Sequence, residues 1–182
     1  MKARDIPNLL CIMRMVLTVP IVWAILDGRY LLALVLFFVA GATDGLDGFL
    51  AKRYGWQSRL GGLLDPAADK LLLVASYVSM WVAGYVPGWL LIAVVTRDLV
   101  IVTGAGLYQL RVGNLVAEPT FVSKLNSVLQ LLYILLILSW LVFGIPGPGA
   151  MNALGLVVLA TVVVSGFDYV IRWSRRARDA RA

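Results

Sequence analysis

Long apolar runs alternate along this chain with short breaks that carry charge, glycine or proline, and the runs are each close to the roughly 20 residues a helix needs to cross a hydrocarbon core. They predict six helices, at about residues 8–26, 30–53, 59–84, 88–111, 121–143 and 150–173. The breaks have recognisable chemistry: Asp27-Gly28 after the first run, "RYGWQS" after the second, Pro87-Gly88 after the third, "GNLVAEP" before the fifth and "GIPGPG" before the sixth. The predicted fold is an all-α integral membrane protein with six transmembrane helices. Gly41, Gly45 and Gly48 recur at three- and four-residue spacing on the second helix, a pattern that permits close helix packing or leaves room for a ligand.

Composition agrees with that pattern. Hydrophobic residues make up 61% of the 182 positions and charged residues 14%, against about 25% in a soluble domain, and the mean hydropathy is +0.89. Six spans with short connections use the whole length, so one membrane domain over 1–182 is expected, with a basic tail from about 174. The first run contains Arg14 and is followed by further spans, which favours a retained helix over a cleaved signal peptide.

Basic residues give the orientation. Lys2, Arg4, Lys52, Arg53, Arg59, Arg111, Lys124 and the tail arginines from Arg172 onward fall on one side, and Arg29 alone falls on the other. The positive-inside rule then places both termini and the Lys52 to Arg59 loop in the cytoplasm, in a cell inner membrane. A net charge of +6 in such a chain fits anionic lipid and not nucleic acid. Cys11, the one cysteine, offers no disulfide and reads as packing. There is no histidine, which removes Ser-His-Asp and Cys-His nucleophile systems and HExxH zinc sites together. Catalysis must rest on carboxylates, lysine, hydroxyls or bound metal.

The carboxylates are placed for such work. An aspartate near a helix centre costs about 2.5–3.5 kcal/mol on insertion scales, yet Asp44 and Asp47 lie three apart on the second helix, and Gly61, Asp65 and Asp69 follow at four-residue spacing on the third. Each set shares a helix face. A short loop joins the two helices, so they are expected to be antiparallel neighbours whose four carboxylates converge just inside the cytoplasmic boundary. Close carboxylates repel unless something cationic lies between them; an all-oxygen set suits magnesium, manganese or calcium, and basic side chains are the alternative counter-ions. Pro66 has no N–H for the carbonyl of Gly62, which either frees local backbone for a ligand or kinks the helix.

Asp44xxAsp47-Gly48xxAla51, followed after Lys52 by Gly61xxxAsp65xxxAsp69, resembles the signature of the CDP-alcohol phosphatidyltransferases. The resemblance implies a six-helix membrane enzyme, commonly a homodimer, whose active site opens to the cytosol. It implies transfer of a phosphatidyl group from CDP-diacylglycerol to an alcohol with release of CMP. Asp44, Asp47, Asp65 and Asp69 would then bind magnesium or manganese, two ions in all. Asp69 would be the catalytic base, and Asp44, Gly48, Ala51, Lys52, Gly61 and Asp65 would hold the CDP moiety. One position departs from the pattern: Lys52 stands where the family usually has arginine, keeping the charge and losing the bidentate fork.

The acceptor is read from the fourth and fifth helices, where Arg97, Ser123, Lys124 and Asn126 reach the same side and are candidates to hold an acceptor phosphate. The alternatives are neutralisation of an aspartate by Arg97 and snorkelling by Lys124. These segments, with "LDPAADK", look more like CMP-forming cardiolipin synthases, whose acceptor is phosphatidylglycerol, than like phosphatidylglycerophosphate synthases, which use glycerol 3-phosphate. Intramembrane carboxylates also occur in cation and proton transporters, but those sites lie near the midplane, often between repeats, whereas these gather at one boundary.

Overall fold

A computed structural model describes the backbone of residues 6–54, 61–112 and 121–179, and the side chains of residues 9–45, 67–104 and 122–169. Within those limits the chain is helical apart from short turns: α1 (Ile6–Leu26), α2 (Tyr30–Tyr54), α3 (Gly61–Val82), α4 (Gly88–Val112), α5 (Phe121–Phe143) and α6 (Pro148–Asp179). Leu9–Leu26, Val122–Phe143 and Pro148–Tyr169 are long and apolar enough to cross a membrane, and Tyr30–Gly45 is a shorter apolar stretch. Asp44, Asp69, Arg97 and Asp98 interrupt the apolar stretches of α2, α3 and α4. The protein is an integral membrane protein, and its outer faces match: Val16, Val19 and Phe38 are exposed, while Arg14, Arg97 and Asp98 are buried.

The chain divides into two compact units. The first comprises Met1–Val86 with Ile134–Gly147, the second Pro87–Tyr133 with Pro148–Ala182.

In the first unit α1 packs against both α2 and α3. Its buried stripe runs Cys11, Arg14, Thr18, Ile21 and Ile25, alternating steps of three and four that keep one face of a helix toward its neighbours. Ala33, Phe37 and Ala40 form the matching stripe of α2, and Leu73, Ser76 and Met80 that of α3. Continued by one step toward the other end of each helix, these stripes reach Asp44 and Asp69. Among the described residues the helix packed against both α2 and α3 is α1, and Ala33 and Ala40 are small enough to let it approach; the segments of α2 and α3 next to their connection lie outside the described side chains.

Tight turns end α1 and α3. Gly28 has φ +74° and Gly84 has φ +85°, a conformation that costs a residue with a Cβ about 1–2 kcal/mol. Around them the Arg29 amide donates to the Ala24 carbonyl at 2.8 Å, and the Tyr85 amide to the Met80 carbonyl at 2.9 Å, closing both helices in the same 6→1 manner. This end of the unit is aromatic: the Tyr30 and Tyr85 hydroxyls lie 3.0 Å apart, Trp140 meets the Tyr85 ring edge-on at 6.3 Å, and the Arg29 guanidinium covers Trp23 at 4.7 Å. Such side chains suit a membrane–water interface.

In the second unit α4 packs against α6. Leu90, Val94 and Arg97 are buried on α4, Ser123, Asn126 and Gln130 on α5, and Met151, Val158, Val162 and Ser165 on α6. Gly155 completes the α6 stripe, and a Cβ there would meet the Tyr133 hydroxyl at 3.1 Å, so glycine lets the ring lie on the helix. One end of each stripe is apolar and the other carries the unit's hydroxyls, amide and charges.

Candidate active site

At 1.5 Å per residue, Arg14 stands about 18 Å along α1 from Leu26, Asp44 about 21 Å along α2 from Tyr30, and Asp69 about 20 Å along α3 from Val82. All three positions are therefore at nearly the same distance from the aromatic end. The helices do bring them together. Arg14 Nη1 donates to Asp44 Oδ1 at 2.6 Å, and the same nitrogen donates to Asp69 Oδ1. Arg14 is completely buried, while the side chains of Asp44 and Asp69 retain 32% and 41% exposure. One fixed cation thus sits behind two carboxylates that still face outward. The Thr18 hydroxyl, one turn along, donates to the Arg14 carbonyl at 3.0 Å.

Two carboxylate oxygens from different helices, both within hydrogen-bonding reach of a single nitrogen, are arranged around a point of positive charge. That donor set, all oxygen and anionic, fits a hard divalent cation. Among the described residues no three such ligands gather. The side chains of Asp47 and Asp65, and Gly48, Ala51, Lys52 and Gly61, lie outside the described residues, although their backbone belongs to α2 and α3.

A second polar cluster occupies the other unit. Arg97 and Asp98 are both buried and joined by a 2.8 Å ion pair through Nη1. Arg97 Nη2 donates to Ser123 Oγ at 2.6 Å and to Ser165 Oγ at 2.7 Å, and Nε reaches Ser165 Oγ at 3.2 Å. Of the expected acceptor-binding residues, Arg97 and Ser123 are therefore in contact. Asn126 is fully buried and accepts from the Thr161 hydroxyl at 3.0 Å. Lys124 is exposed on the other face of α5.

Three participants are not evident in these roles from sequence. Arg14 is legible as a charge within an apolar span, which demands a partner, but its partners are not. Ser165 and Thr161 are ordinary small polar residues of an apolar helix, and their spacing from Arg97 and Asn126 appears only once α4, α5 and α6 are assembled.

The sequence pattern of CDP-alcohol phosphatidyltransferase matches residues 4–167. The chain belongs to that family. Among its relatives, the cardiolipin synthase (CMP-forming) of Rattus norvegicus is 31% identical over 182 residues, covering 90% of this chain and 60% of the relative. The CDP-diacylglycerol--glycerol-3-phosphate 3-phosphatidyltransferase 1, chloroplastic, of Oryza sativa is 33% identical, covering 97% of this chain and 59% of the relative. The CDP-diacylglycerol--glycerol-3-phosphate 3-phosphatidyltransferase of Bacillus subtilis is 33% identical over 142 residues, covering 77% and 72%. The chain spans about three fifths of the length of the first of these relatives.

The CDP-alcohol phosphatidyltransferase match runs through both units. It takes in Arg14 and both of its aspartates, and likewise Arg97, Ser123 and Ser165.

Proposed function

We propose that this protein transfers the phosphatidyl group of CDP-diacylglycerol to the hydroxyl of a glycerol-type acceptor and releases CMP. The observation that carries the reading is the meeting of Asp44 and Asp69, the outermost aspartates of the motif, on one nitrogen of Arg14. One carboxylate would neutralise buried Arg14; two, from different helices and both still partly exposed, concentrate negative charge beyond that need.

A divalent magnesium or manganese ion, or a pair of them, bound by Asp44, Asp47, Asp65 and Asp69 would neutralise the pyrophosphate and the charge that develops on departing CMP. Small residues at Gly48 and Ala51 would let the nucleotide lie against α2, with Gly61 opposite and Lys52 near the phosphates. Asp69, partly exposed, would accept the proton of the acceptor hydroxyl as the acceptor oxygen bonds to the phosphatidyl phosphorus and the bond from that phosphorus to the CMP oxygen breaks. Arg14, held away from solvent, would keep the Asp69 carboxylate in place. Arg97, Ser123, Asn126 and Lys124 would serve the acceptor phosphate.

The wider setting belongs to the same reading: six spans in one family domain, both termini and the active site on the cytoplasmic side of an inner membrane, and a homodimer. The basic-residue asymmetry supports the orientation. The acyl chains of the donor would stay in the bilayer, which is why the site would be built between membrane helices.

Phosphatidylglycerol is the preferred acceptor, in line with the name of the rat relative; glycerol 3-phosphate is the second reading, in line with those of the rice and Bacillus relatives. Offering purified protein CDP-diacylglycerol with phosphatidylglycerol, glycerol 3-phosphate and inositol phosphate together, and identifying the lipid product by mass spectrometry, separates them. Cardiolipin is the expected product. Phosphatidylglycerophosphate would replace the first acceptor by the second, and transport of a cation without any lipid product would sink both.

A further inference from the structure

Arg97 presents five N–H donors in a planar fork, and four hydrogen bonds to it are seen: one to Asp98, one to Ser123 and two to Ser165. The Ser165 oxygen lies across the Nε and Nη2 edge, the edge with which an arginine ordinarily clasps a carboxylate or phosphate. That edge is held by an uncharged hydroxyl. The group therefore has its plane and direction set by α5 and α6, while among the described residues its charge is met by the adjacent Asp98. A Cβ at Gly166 would lie 4.0 Å from Arg97 Cγ, so the arginine stem runs along the surface of α6.

We infer that Ser165 on α6 is a positioning residue: its hydroxyl fixes the Arg97 guanidinium so that a phosphate-bearing acceptor meets an oriented cation. This rests on the phosphatidyl-transfer reading for its consequence in turnover, and on geometry alone for its consequence in anion binding. A hydroxyl suits the task because it accepts from two nitrogens at once without cancelling the charge, as a carboxylate would. Ser123 shares the work at Nη2, while among the described residues Nε is held by Ser165. Removing the Ser165 hydroxyl leaves Nη1 on Asp98 and Nη2 on Ser123 and takes away the described partner of Nε, so the plane of the guanidinium is less firmly set.

The test compares wild type with Ser165→Ala and Ser165→Thr as purified full-length protein. Steady-state constants are measured with CDP-diacylglycerol against glycerol 3-phosphate and, separately, against phosphatidylglycerol in mixed micelles; calorimetry measures binding of glycerol 3-phosphate and of inorganic phosphate. The arms distinguish a lipid headgroup from a free phosphate as the source of the anion. Ser165→Ala is expected to raise KM for the effective acceptor about tenfold, to leave KM for CDP-diacylglycerol unchanged, and to weaken binding of the same anion in parallel, with Ser165→Thr restoring both. A purely structural serine would instead lower thermal stability and kcat with acceptor KM and anion binding unmoved, and that result overturns the inference. If wild type bound the anion in a Ser165-dependent way yet released no CMP, the positioning role would stand and the transfer reading would fall. Wild type that neither turns over nor binds any of these anions would overturn both.

Discussion

Asp69→Asn is expected to fold and to lose CMP release by about 10²–10⁴-fold, the usual contribution of a general base. Asparagine keeps the size of the side chain and an oxygen able to accept from Arg14 Nη1, so the contact between α1 and α3 survives. Arg14 also retains its 2.6 Å partner Asp44, and the buried cation is never left alone. What disappears is the group able to take the acceptor's proton. Asp69 suits that task because it is held from behind by a fully buried guanidinium yet remains 41% exposed. Activity above a tenth of wild type, at equal thermal stability, would remove Asp69 from the catalytic role and leave it a structural partner of Arg14.

Arg14→Met is expected to act on stability first, and in a manner that depends on divalent ions. Methionine fills the same buried stripe on α1 without charge, leaving Asp44 and Asp69 facing one another with their shared cation gone. Hydrogen bonds to charged groups contribute about 1.5–3 kcal/mol; discounted for the partial exposure of both carboxylates, the loss should be about 2 kcal/mol, which for a chain of this length lowers the melting temperature by roughly 4–8 °C. In chelator the variant should melt early, and millimolar magnesium or manganese should return most of the difference, because a cation again lies between the carboxylates. Wild type, with its own cation in place, should gain less from the same addition. Thermal unfolding in detergent, with chelator and with added metal, is the measurement. Equal destabilisation in both conditions would mean that no added cation takes the place of Arg14 between these aspartates.

Much of this architecture is legible in the pattern of the chain because membrane helices are long and their breaks are chemically explicit. Glycines that must take positive φ, Gly28 and Gly84, mark the ends of α1 and α3; the pattern carries the third helix on to residue 84 because hydropathy does not see that Gly84 is the turn. The opposite error occurs at α6, which continues to Asp179 past the expected end at 173. Apolarity shows where lipid stops, whereas a helix satisfies its own backbone and continues through arginines as readily as through valines.

The site is legible to the extent that function is written at fixed helical spacing. Three- and four-residue intervals place Asp44 with Asp47 and Asp65 with Asp69 on common faces whatever the surroundings. The route by which the two faces meet is not, since it depends on α1, whose stripe from Cys11 to Ile25 looks apolar apart from Arg14 and Thr18. The same limit hides Ser165: a single hydroxyl among valines gives no periodic signal, and its meaning comes from the arginine two helices earlier in the chain.

The most direct test of the central claim is release of CMP from CDP-diacylglycerol by the purified full-length protein, measured with magnesium or manganese, with phosphatidylglycerol or glycerol 3-phosphate as acceptor, and again after chelation. CMP is predicted to form in step with a new phospholipid, with turnover lost in chelator and recovered on adding metal back. Absence of CMP with every acceptor in the presence of metal, from protein that remains folded, would contradict the claim.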